Sequence, residues 1–148
     1  MTEPSGPLEV VVNTGSLSGI PSELLVKAVH ATVRDAGRGT RGGEISVTLL
    51  ADDEVRAMNR DYLDKDHPTD VISFSLGDGD AIMGDVYIGY EQASRQASEL
   101  GVDEAEELAR LAIHGTLHVL GLDHPEGDER AKSPMFELQE RILIEVLS

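Results

Sequence analysis

The segment LARLAIHGTLHVL, residues 108–120, constrains this chain more than any other. It reads as helix and is apolar nearly all round, and such a helix has no face to give to water, so other elements must enclose it. Its start is marked at Asp103, where Glu106 three residues on completes a capping-box pattern. Gly121 supplies its stop. A chain of 148 residues is long enough to build one continuous core around such a helix without disulfides or repeats.

The enclosing elements can be read in order. Residues 1–7 hold two prolines and a glycine and read as a loose tail, leaving 8–148 as one domain. The valine-rich run Leu8 to Val12 reads as a strand. Leu24, Leu25, Ala28, Val29, Thr32 and Val33 recur at helical spacing after the start signals Pro21 and Ser22. His30 falls within that helix and reads as a surface or packing residue. ISVTLL, 45–50, reads as a second strand, and a strand, a helix and a strand in this order suggest parallel neighbours. Asp52 or Asp53 can cap a short helix carrying Val55, Met58 and Asn59. VISFSL and IMGDVYIG read as two strands joined by the turn-forming GDGD, an antiparallel hairpin that makes the sheet mixed. A helix follows over 90–100, and Ser133 before Pro134 opens a last amphipathic helix. The expectation is a single α+β domain with a mixed sheet of about four strands packed against helices.

Three of the five histidines fall within HGTLHVLGLDH. His114 and His118, four apart on a helix, lie about 40° apart on one face, one turn above the other. The reversal permitted by Gly121 can return His124 to the same point. Without cysteine there are no thiolate ligands, so a metal site must be built from histidine and carboxylate. Three imidazoles with an open fourth position form the arrangement of a catalytic zinc site, one Zn2+ per chain. Buried imidazoles without partners would cost about 1–3 kcal/mol each, and a metal supplies the partners.

The spacing is similar to the metzincin protease signature, except that Gly115 stands where the protease has its glutamate base. That departure argues against peptide hydrolysis by the usual route, and the glycine is expected to open space beside the ion for a bulky substrate. HGTLHVLGLDH as a whole resembles the signature of the YbeY family, in which a glycine follows the first histidine and an Asp-His pair closes the motif. KDHPTDVISFS, 65–75, resembles the family's Lys-Asp-x-x-Thr-Asp-Val-Leu-Ser-Phe segment, and MGDVYIG resembles its Leu-Gly-Asp-Ile strand at Gly84 and Asp85. The resemblance implies a zinc ion on His114, His118 and His124, and metal-dependent cleavage of single-stranded RNA in ribosomal RNA maturation. Asp85 and Asp123 are candidates to accept the second N–H of a ligating imidazole. One position departs from the family. Leu63 stands where the family has an arginine facing the metal cleft, and Arg60, a turn earlier, can substitute if that turn is helical.

The charge of −16 argues against a general nucleic-acid binder. Its distribution is uneven, with 7 basic and 10 acidic residues in 1–65 and 5 and 18 in 66–148. Arg34, Arg38 and Arg41, with Arg60, are the cations expected to line a substrate cleft. The implied partners are an rRNA precursor and a ribosomal subunit or ribosome-associated protein. No apolar run approaches the ~20 residues of a membrane span, which sets the expectation of a cytoplasmic protein with no membrane contact. The alternative reading is a ribosome assembly factor that keeps a structural zinc and has little activity.

Overall fold

In the computed structural model, which describes residues 8–36, 42–76, 81–124 and 133–148, the elements follow the expected order. They are β1 (Leu8–Asn13), α1 (Ser22–Asp35), β2 (Gly43–Leu50), α2 (Asp52–Leu63), β3 (Val71–Ser75), β4 (Ile82–Gly89), α3 (Tyr90–Leu100), α4 (Glu104–Val119) and α5 (Pro134–Leu147). The tail and the GDGD turn lie outside the described residues, as do Arg38 and Arg41.

The four strands form one mixed sheet in the order β1-β2-β4-β3. β1 runs parallel to β2 and β2 to β4, while β3 pairs antiparallel with β4, Ser73 opposite Val86. Side chains alternate across the sheet. Ile45, Val47, Leu49, Val86 and Ile88 point into the core, where α1, α4 and α5 pack. The other face carries Ser46, Thr48, Asp85 and Tyr87 and is only partly covered, by α2. The class is therefore α+β in a single domain, and α4 is its buried centre, with Leu108 through Leu117 enclosed except at Arg110.

Two glycines set how closely α4 approaches the sheet. A Cβ on Gly115 would stand 2.5 Å from Val86 Cγ1, 2.9 Å from Ser73 Oγ and 3.2 Å from Val71 Cγ2. A Cβ on Gly84 would collide with the Val119 side chain. Gly115 thus serves the helix–sheet approach, and the expectation that it opens space beside the metal is corrected: the residue faces strands β3 and β4.

The helix ends differ in how far they follow the sequence signals. Ser133 caps α5, its Oγ accepting from Phe136 N–H at 3.1 Å, with Pro134 in the first turn. At the end of α4, Leu122 N–H donates to Leu117 O and Gly121 N–H to His118 O, the paired bonds of a Schellman turn, with Gly121 at φ +96°. The expected capping box at Asp103 does not form, because the Glu106 carboxylate pairs with Arg110 at 3.3 Å instead. At α2 the cap is Ala51 and not an aspartate, and the Glu54 carboxylate accepts from the Ala51 N–H at 3.0 Å.

Candidate metal centre

α4 presents His114 and His118 one turn apart, and the Schellman turn folds the chain back so that His124 joins them. The ring centroids lie 4.7, 5.0 and 5.1 Å from one another, and one ligand atom from each falls within 4.8 Å of the others. His114 Nε2 and His118 Nε2 are 3.2 Å apart. Two imidazole nitrogens sharing a tetrahedral ion at the usual zinc–nitrogen distance stand about 3.3 Å apart, so the pair fits such an ion without rearrangement.

His114 is oriented by a residue the sequence reading missed. Its Nδ1 lies 2.6 Å from Gln139 Oε1 on α5. The amide cannot be reversed, because Gln139 Nε2 donates to the Glu140 carboxylate at 2.9 Å, and a carboxylate only accepts. Oε1 therefore faces His114, whose Nδ1 must carry the proton, and the Nε2 lone pair is left aimed at the shared point. Glu140 is held in turn by Arg110 at 3.0 Å, and Arg110 also binds Glu107 at 2.5 Å. Burial by itself lowers the Arg110 pKa, but the hydrogen bonds it donates to Glu140 and Glu107 outweigh it and hold the guanidinium charged. A glutamine at 139 has no motif around it. Only its place on the core face of the last helix, four after Met135, hinted that it is buried.

Of the two aspartates expected to hold ligand imidazoles, Asp123 stands near one, its carboxylate 3.6 Å from His118 Nδ1. That is close enough for attraction and too long for a hydrogen bond. Asp85 is elsewhere: β4 alternation sends it to the sheet face away from α4, where it accepts from Ser46 Oγ at 2.6 Å. Its expected role falls to Gln139.

The histidines line a cavity of about 640 Å³. The opposite wall is β3, the last residue of α2 and the loop after it, contributing Leu63, Lys65, Thr69, Asp70, Ser73 and Ser75. That loop is pinned from several sides. Asn59, buried on α2, donates from Nδ2 to His67 O at 2.9 Å, Asp66 pairs with Arg56 at 2.8 Å, and Gly89 N–H donates to Asp70 O at 2.8 Å. Lys65 is the one cation among the described lining residues, against the carboxylates of Asp70 and Asp123. The turn holding Arg60 is helical, so Arg60 lies i, i+3 from Leu63, but its guanidinium pairs with Asp61 at 3.3 Å and does not line the cavity. Arg34 pairs with Asp35 and Glu145 and is likewise absent from the lining.

Fold and site together define a small α+β protein with an open three-histidine centre able to hold a metal ion, at the floor of a cavity walled by an edge strand. The family model described as Endoribonuclease YbeY matches residues 16–146. An Endoribonuclease YbeY of Carboxydothermus hydrogenoformans is 41% identical over 122 residues, 81% of this chain and 82% of that one. One from Desulfitobacterium hafniense is 36% identical over 143 residues, covering 89% and 87%. The solution structure of TM1509 from Thermotoga maritima superposes with a TM-score of 0.62 at 29% identity, over 93% of this chain and 88% of that one. The chain belongs to the YbeY family of endoribonucleases.

Proposed function

We propose that this protein is a zinc-dependent endoribonuclease that cleaves single-stranded RNA during rRNA maturation in the cytoplasm, in association with a ribosomal subunit. The observation that carries the reading is the convergence of His114, His118 and His124 at the floor of a cavity large enough for a nucleotide. His114, His118 and His124 would hold the zinc ion, which would supply Lewis-acid chemistry there. The chain's own residues do the rest. The Lys65 ammonium holds the phosphate, and Arg60, exposed one turn from Leu63, can leave Asp61 to add a second cation. The hydroxyls of Thr69, Ser73 and Ser75 bind sugar and phosphate oxygens. Gly115 leaves no glutamate beside the first histidine, so Asp70 and Asp123 are the lining carboxylates available to take a proton from an attacking water. Among the described residues no helix is long and apolar enough to cross a membrane.

The assembly-factor reading is favoured by one feature, the aliphatic Leu63 in a wall where two carboxylates face one cation. Cleavage of an end-labelled single-stranded RNA separates the two. The nuclease reading expects cleavage by the zinc-loaded parent and only background from His118→Ala, which also loses its zinc. If the parent, carrying one zinc per chain, does no better than His118→Ala, the assembly factor replaces the nuclease.

A further inference from the structure

We propose that a second cavity, of about 210 Å³ and lined by Met58, Tyr62, Phe74 and Tyr87, is a nucleobase subsite: it seats one base of the same single strand whose phosphate enters the metal cavity. This deepens the endoribonuclease reading and rests on it.

The chain has three tyrosines, two phenylalanines and no tryptophan, and three of these five rings gather here. Tyr62 meets Phe74 at a centroid distance of 5.6 Å and 74°, and Phe74 meets Tyr87 at 6.0 Å and 75°, both edge to face. None belongs to the buried core, and Tyr62 at the rim is 67% exposed. A protein this poor in aromatics has placed most of them outside its core, with the Tyr62 ring largely in solvent. Every base has a π-face, and stacking on an aromatic side chain is the common way single strands are held without sequence preference. The volume is below the ~300–1,000 Å³ of ordinary small-molecule sites, which suits one planar ring system. The floor is uncharged at Tyr87, whose pKa is raised by burial and then by the charge and hydrogen bond of Asp85, so the phenol stays protonated.

The two cavities share a wall. Leu63, next to Tyr62, lines the metal cavity, and so do Ser73 and Ser75 on either side of Phe74. Strand alternation sends Phe74 to one face of β3 and the two serines to the other. β3 is the outer strand of the sheet, so it forms a ridge between the cavities. A strand of RNA laid over this ridge puts its backbone on the histidine side and turns a neighbouring base into the aromatic side. Only an unpaired base can make that turn without the cost of breaking a pair and its stack, so the subsite selects single strands.

The test uses the zinc-loaded full chain and a short oligoadenylate, with Tyr62→Leu and Tyr62→Phe. Tyr62 is exposed, so neither change is expected to move the melting temperature or the zinc content. Tyr62→Leu should raise KM at least about five-fold, the lower end of a stacking contribution, with kcat little changed, and Tyr62→Phe should restore it. An abasic residue scanned along the oligonucleotide should raise the parent's KM at one position, and at that position leave Tyr62→Leu unaffected. Equal KM values for parent and Tyr62→Leu, or no position sensitive to base removal, overturn the subsite while the nuclease stands. A zinc-loaded parent that neither binds nor cleaves the oligonucleotide overturns the nuclease reading and the subsite with it.

Discussion

His114 owes its orientation to Gln139, which reaches it from another helix, and that hydrogen bond sets which ring nitrogen is turned toward His118 and His124. Replacing the amide by an apolar group of similar size removes the acceptor for the Nδ1 proton and releases the ring. Gln139→Leu is therefore expected to weaken zinc binding by about 10–100-fold, measured by competition with a chromophoric chelator. Unchanged affinity would mean that packing alone holds the ring. At Leu63, where the resemblance implies an arginine, the cavity wall carries an aliphatic side chain. Leu63→Arg is expected to raise cleavage of single-stranded RNA about tenfold or more at matched zinc content, since ~1.4 kcal/mol against developing phosphate charge is one decade of rate. Arg60→Ala should lower the parent's rate and affect the Leu63→Arg variant less, if Arg60 now serves the phosphate. The two helical histidines were legible from spacing alone because the helical period fixes their relation. Gln139 was not, because its partner lies 25 residues away and only packing brings α5 against α4.

At the level of elements, the approach of α4 to the sheet carries the site. Gly115 and Gly84 let the helix lie close to β4 and β3, which brings the histidines over the edge strand that walls the cavity. Gly115→Ala inserts a methyl against Val86 and Ser73, and overpacking of this kind costs ~1–3 kcal/mol. The loss should appear in urea denaturation of both the zinc-loaded and the chelator-treated protein. A loss confined to the zinc-loaded form would return Gly115 to the metal's surroundings. A capping side chain goes to the partner that tertiary packing offers. The Ser133 hydroxyl accepts from Phe136 N–H and caps α5, whereas the Glu106 carboxylate pairs with Arg110 and leaves the Asp103 box unmade.

Across the whole molecule, a metal on His114, His118 and His124 would tie the core helix to the loop that follows it, and through Gln139 to α5. Ion binding to the folded chain alone stabilises it by mass action, about 2.7 kcal/mol when free ion is a hundredfold above Kd. Zinc is expected to raise the melting temperature of the parent, chelator to reverse the rise, and His118→Ala to melt at one temperature with or without zinc. A parent indifferent to zinc would mean that the cluster holds no ion tightly. The order of elements, the enclosed helix and the spacing of the histidine triad are local in origin: periods of two and 3.6 residues, a glycine stop and a four-residue spacing write them into the chain. What the tertiary structure alone decided are relations between distant segments. It put Asp85 on the far face of the sheet, paired Arg34 with Glu145 and Arg60 with Asp61, delivered Gln139 to His114, and set Phe74 between Tyr62 and Tyr87. Each depends on which face of one element meets which face of another, and the free energy that chooses among those pairings belongs to the packed core as a whole, not to any segment of the sequence.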